Sequence, residues 1–255
     1  MGTSSLASGV NPTVVLSAAA VASVTGCDDP LATVLIETPE LTAVLRRPAA
    51  LIDEVPAMAA AHHLIADYQA ARNRRFDAFL SDAVRNGLRQ CVILGAGLDT
   101  RSYRLPWLDG VTVFEVDRPR VLRFKVATLA DHGASPHAEL RCAGVDYGMS
   151  WPQALWRAGF NHNEPTAWIA EGLLPLPDHA QDAMVSEVDG LSAAGSRVAY
   201  DDVLGRCSGR SDASDWLTSR GWWTDVVDAR TLPELAGRRA EMSDHAVLVT
   251  AEKIA

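Results

Sequence analysis

"VILGAGLDTRSYRLP", Val92 to Pro106, is the stretch on which the reading of this chain turns. The apolar run Cys91–Leu94 halts at Gly95-Ala96-Gly97 and becomes abruptly polar, as a buried strand does when it ends in a tight turn. Glycines at a strand tip carry no Cβ, so a ligand can lie close against the backbone. The third glycine of a dinucleotide fingerprint is missing, because Thr100 and Arg101 occupy that neighbourhood. Pyrophosphate binding is therefore disfavoured.

Outward from this turn the period is regular. "CVILG", "VTVFEVD", "AELRCAGVD", "TAWIAEG", "SRVAYDD" and "HAVLVTAEKI" read as strands, several of them apolar throughout, as strands covered on both faces must be. Helical segments lie between them. "RPRVLRFKVATLADHG" has Pro119 in its first turn and Gly133 at its end, "DHAQDAMVSEVDGLSAAG" is capped by Asp178, and "SDASDWLTSRG" is closed by Gly221. Upstream, Met58 to Asn86 reads as one long helix with Leu64, Tyr68, Ala71, Phe79 and Ala83 at helical spacing. Before it lie short helical stretches broken by Pro30, Pro39 and Pro48, with Asp28 or Asp29 placed to cap "PLATVLI". Alternating strands and helices predict an α/β domain around a mostly parallel, doubly wound sheet.

Bulk composition narrows the partners. The chain has 255 residues, 48% hydrophobic, enough for one domain with a full core. A formal net charge of −9 provides no field for phosphate backbones, so no nucleic-acid partner is expected. "VVLSAAAVASVTGC", Val14 to Cys27, imitates a secretory signal, yet the first basic residue is Arg46. A cytoplasmic protein without a membrane partner is the expectation, its cysteines (Cys27, Cys91, Cys142, Cys207) buried free thiols. The histidines show no ligand spacing, and no metal is expected.

In a doubly wound sheet ligands sit beyond the carboxyl ends of the strands. Glu115 and Asp117 end the second strand about 20 residues after the glycines, where a carboxylate can accept both hydroxyls of a ribose. Asp146 ends the third strand and Glu171 the fourth. An acidic rim suits a ligand with ribose hydroxyls, an exocyclic amine and a positive charge but no phosphate, which describes S-adenosyl-L-methionine.

The ordered motifs "YQAARNRRFDAFL", "VILGAGLDTRSYRLP", "FEVDRPRVLRFK", "GVDY" and "AWIAEGLL" make the likeness specific. From about Asp28 onward the chain resembles the leucine carboxyl methyltransferase-like family of class I S-adenosylmethionine-dependent methyltransferases, of the bacterial natural-product type. That resemblance implies a Rossmann-like, mostly parallel seven-stranded sheet with helices on both faces and an N-terminal helical cap. It divides the chain into a cap at 13–56, a cofactor-binding core at 57–202 and a substrate-side insertion or lid at 203–240. It also implies site roles: Arg72 for the cofactor's carboxylate, Gly95, Ala96 and Gly97 against the cofactor, Asp117 for ribose, Asp146 and Tyr147 beside adenine, and Glu171 near the methionine end. Glu171 is the nearest candidate for a catalytic group. Asp99, Arg101 and Arg104 read instead as a structural lock on the loop.

The implied activity is O-methyl transfer, with S-adenosyl-L-homocysteine as product. A carboxylate acceptor, with a pKa near 4, arrives ionised and needs no base, whereas a phenol or alcohol needs one. No Ser-His or Cys-His pairing is legible, which favours the carboxylate of a small natural product, such as a polyketide-like acid, over a hydroxyl. Two departures touch the site: "EGLLPLPDH" carries Pro175 and Pro177 where relatives place a methionine-tyrosine pair, and "VVLSAAAVASV" lacks their basic residue. A non-methylating enzyme, such as a cyclase or isomerase, or a binding protein on the same fold is the alternative of different class. The acceptor's pocket is expected among the N-terminal helices and Val203 to Trp223, where Trp216, Trp222 and Trp223 either line an aromatic site or pack the core.

Overall fold

The computed structural model describes residues 29–43, 45, 56–146, 148–172, 178–203, 213–235 and 246–254. Its sheet has seven strands: β1 (Gln90–Leu94), β2 (Thr112–Asp117), β3 (Glu139–Gly144), β4 (Thr166–Ala170), β5 (Arg197–Val203), β6 (Trp222–Asp228) and β7 (Ala246–Lys253). They lie in the order β3-β2-β1-β4-β5-β7-β6. The first five run parallel, while β7 is antiparallel to both β5 and β6. From β1 the chain winds outward through β2 and β3, then returns to place β4 on the other side of β1. That reversal opens a crevice beyond the tips of β1 and β4, the place where sheets of this kind bind ligands.

Alternation along the strands builds two cores. Cys91, Ile93, Ala167, Ile169 and Ala199 meet Phe76, Phe79, Leu80 and Ala83 of the long helix α2 (Pro56–Arg85), which follows the short α1 (Pro30–Ile36). Val92, Leu94, Trp168, Val198 and Tyr200 face the other way, against α5 (Trp151–Arg157), α6 (Asp178–Leu191) and α7 (Ala213–Ser219). Two further helices, α3 (Arg101–Arg104) and α4 (Pro119–Asp131), flank β2, and α4 shares a smaller cluster with Leu35 of α1 and Leu98 of the glycine-turn loop. Helix α1 begins as its sequence dictates: Asp29 caps it by accepting the Ala32 N–H at 3.0 Å, and Pro30 occupies the first turn, where its missing N–H costs nothing.

Several expectations change here. Residues Trp222–Asp228, assigned to the substrate-side segment, form the sheet's edge strand β6 instead. Trp222 is buried in the second core, with its indole N–H donating to Asp189 Oδ1 at 2.9 Å; Trp216 packs half-buried beside it under the Arg220 guanidinium; Trp223 is exposed. The core reading fits Trp222 and Trp216. Cys91 is a buried free thiol, but Cys142 is exposed because β3 is the sheet's other edge; Cys27 and Cys207 lie outside the described residues. Among the described residues no helix is long and apolar enough to cross a membrane.

Candidate cofactor site at the strand tips

The glycine turn after β1 works differently from its sequence-level reading. Its amides are engaged within the protein: Ala96 N–H donates to the Val116 carbonyl at 3.0 Å, and Gly97 N–H donates to Asp117 Oδ2 at 2.7 Å. The turn therefore holds the Asp117 carboxylate rather than offering those amides to a ligand. Arg118 N–H donates to the other oxygen, Oδ1, at 2.6 Å. Each carboxylate oxygen has capacity for another donor, and Asp117 is half-exposed beyond the tip of β2. Asp146 lies just past β3, exposed, with its carbonyl accepting Met149 N–H at 3.0 Å. Tyr147 lies outside the described residues, as do Leu173 to Pro177 with both prolines and the helix-like stretch 14–24.

Glu115 is not part of the rim. It is fully buried, with Oε1 accepting the Ser102 hydroxyl at 2.7 Å and Oε2 lying 2.8 Å from Lys125 Nζ. Lys125 also donates to the Asp99 carbonyl at 2.7 Å. The pair pins the loop after the glycine turn to α4, because a charge taken out of water persists only when partnered.

Across the crevice, Gly95 at the tip of β1 has φ +63° and Gly172 past the tip of β4 has φ +68°. A side chain at either position would strain the backbone, and nothing stands within 4 Å of where its Cβ would be. Both leave open space beside bare backbone.

Arg72 reaches this space from α2. Although it opens the basic run Arg72, Arg74 and Arg75, it is 5% exposed. Its Nη1 donates to Asp201 Oδ2 at 3.0 Å, and its Nη2 donates to Glu171 Oε2 at 3.2 Å and to Gln69 Oε1. Its buried Nε has no hydrogen-bond partner. Burial alone would lower the guanidinium's pKa, but the Glu171 and Asp201 carboxylates outweigh it and hold the group above its ordinary value. Beside it, the Tyr68 phenol is pushed well above its ordinary value by burial and then by Asp201.

Glu171 is gripped from two sides. Its other oxygen accepts Arg101 Nη2 at 2.7 Å. Arg101, buried on α3, also donates through Nε to Asp77 and through Nη1 to Asp99, both at 2.6 Å, and through Nη2 to Asn73 at 3.2 Å. Arg104 adds bonds to Asp77 at 2.6 and 3.0 Å. Asp99, Arg101 and Arg104 thus form the structural lock expected of them, one that also reaches Glu171. Asp201, at the end of β5, was not singled out from sequence, although "YDD" is visible at that strand's end.

The crevice thus combines a carboxylate with room for two hydroxyl donors, bare backbone at two strand tips, and a buried guanidinium with an unused N–H. A nucleoside joined to an amino acid fits these groups. Among the described residues no His, Cys, Asp or Glu group of three or more is placed to hold a metal.

Known proteins resemble the chain over most of its length. A family profile described as leucine carboxyl methyltransferase matches residues 13–189. A protein of Mycobacterium sp. strain KMS, named "Putative S-adenosyl-L-methionine-dependent methyltransferase", is 67% identical over 100% of this chain and 98% of its own length. One of the same name from Mycobacterium marinum is 39% identical over 94% of this chain and 93% of its own. The crystal structure of a DUF574 family protein from Streptomyces avermitilis shares the fold, with TM-score 0.58 at 16% identity, covering 97% of this chain and 98% of that one.

Proposed function

The chain belongs to the leucine carboxyl methyltransferase family and is an S-adenosyl-L-methionine-dependent methyltransferase, and on that premise we propose that it transfers the methyl group to a carboxylate oxygen of a small natural product. In this reading Asp117 accepts the ribose hydroxyls, and Asp146 stands beside adenine. Gly95 and Gly172 let the ligand lie against the strand tips, and Arg72 takes the cofactor's carboxylate. The bound cofactor supplies an electrophilic methyl group on a sulfonium. The protein's share of the chemistry is to align the acceptor with that methyl group and to exclude water.

One observation supports a carboxylate acceptor: the groups nearest the crevice with the chemistry of a base are already engaged. Glu171, the nearest catalytic candidate, accepts from both Arg72 and Arg101, and burial keeps the Tyr68 phenol protonated. A neutral alcohol or phenol would need its proton taken by such a group. A carboxylic acid arrives already ionised at neutral pH.

Incubation with methyl-labelled cofactor and a panel of aliphatic acids, aromatic acids and phenols tests this. Methyl esters release volatile labelled methanol in mild alkali, and aryl ethers do not. Alkali-labile label on acids supports the proposal, and alkali-stable label on phenols moves the acceptor to a hydroxyl. An acceptor converted without label indicates the cyclase or isomerase alternative.

A further inference from the structure

The end of β5 carries a carboxylate that joins two parts of the site. Alternation turns Ala199 and Asp201 toward α2, Ala199 into the core and Asp201 to the level of Arg72. Asp201 is 2% exposed, and its two oxygens have separate tasks. Oδ1 accepts the Gly172 N–H at 2.8 Å; Oδ2 accepts Arg72 Nη1 at 3.0 Å, with the Tyr68 hydroxyl at 3.5 Å. Since Arg72 also donates to Glu171, the residue bonded to Gly172, a closed ring results: Asp201 to Arg72, Arg72 to Glu171, Glu171 to Gly172 along the chain, and Gly172 back to Asp201. The carboxylate of Asp117, held by the Gly97 and Arg118 amides, shares no member with this ring.

Resting on the cofactor reading above, we propose that Asp201 is a positioning residue: one buried carboxylate fixes the Arg72 guanidinium and the Glu171–Gly172 turn together, and so governs the end of the site that takes the cofactor's amino-acid portion. Removing it opens the ring at two points. Arg72 keeps Glu171 and Gln69 but loses the anchor on β5, and the turn at Gly172 loses its tether to the neighbouring strand. The nucleoside end, at Asp117, is untouched.

Two probes separate this from a general structural role. S-adenosyl-L-homocysteine carries both portions, and 5′-methylthioadenosine carries the nucleoside without the amino acid. Calorimetry on the full chain should show Asp201→Ala weakening the first at least tenfold while leaving the second within twofold. Asp201→Asn keeps an acceptor for the Gly172 amide and loses the charge opposite Arg72, so it should fall between wild type and Asp201→Ala for the first probe only. If Asp201→Ala does not fold, judged by thermal melting, the comparison is made on Asp201→Asn alone. Unchanged affinity for S-adenosyl-L-homocysteine, or equal losses for both probes, would overturn the assignment. A wild-type protein that binds neither probe would overturn the cofactor reading and this inference with it. Wild-type binding with a silent Asp201 variant overturns the inference alone.

Discussion

At the scale of single residues, the site depends on groups whose bonds are set by the backbone. Asp117 stands out in the sequence as a strand-ending acid about 20 residues after a glycine turn, the place where such a sheet grips a ribose, although strand ends are often simply polar. What sequence could not show is that the Gly97 amide orients it. Hydrogen bonds to a charged acceptor contribute about 1.5–3 kcal/mol, so Asp117→Ala should weaken S-adenosyl-L-homocysteine binding by roughly 10- to 100-fold in calorimetry, and the released Gly97 and Arg118 amides should lower the melting temperature as well. Asp201 stayed illegible because an acid at a strand end reveals its partner only when the side of the sheet covered by α2 is known. Cys91 offers a separate test. Burial pushes its thiol up to about 12 from an ordinary 9.0. A folded-state value above the unfolded one means that stability is complete below pH 9 and is lost progressively as pH rises toward 12. Melting temperatures measured between pH 8 and 11 should therefore fall more steeply for the wild type than for Cys91→Ala.

At the scale of elements, the long helix was legible almost to its ends, expected over Met58–Asn86 and found over Pro56–Arg85, because apolar residues recur at helical spacing until Gly87. Helix α5 was missed: seven residues with Trp-Pro at the start contain too few turns to show a period. Strand β6 was missed for another reason. As an edge strand it alternates poorly between buried and exposed positions, and its polar members pair with nearby side chains, Asp225 with Arg75 of α2 at 3.2 Å, Thr224 with Thr218 of α7 and Asp228 with Arg230. The Lys125–Glu115 pair joining α4 to β2 lies at this scale. Breaking one partner of a fully buried pair leaves the other charge uncompensated, at a cost of about 3–5 kcal/mol. Lys125→Met should show a loss of that size in urea unfolding, and adding Glu115→Gln should restore part of it; strict additivity would mean the two side chains do not interact.

At the scale of the whole molecule, α2 matters twice, because Phe76 to Val84 lie in the core while Tyr68 and Arg72 pass over the strand tips. A ligand held by Arg72 adds a partner to the half of the helix where Ile65 is exposed and Leu64 and Tyr68 are only partly buried. Hydrogen exchange with and without S-adenosyl-L-homocysteine should show added protection at Leu64 to Arg72, and none at the edge strand β6, two strands beyond β5. The sheet order has a further consequence. Strand β7 lies between β5 and β6, so β6 joins the sheet only through β7. Losing the hold of β7 on β5 therefore parts both strands from the rest of the sheet together. Leu248→Ala, which empties part of the core beneath β7 at a cost of about 2–5 kcal/mol, should release the amides of Trp222–Asp228 and Ala246–Lys253 together, in a single sub-global opening that leaves β1 and β4 closed.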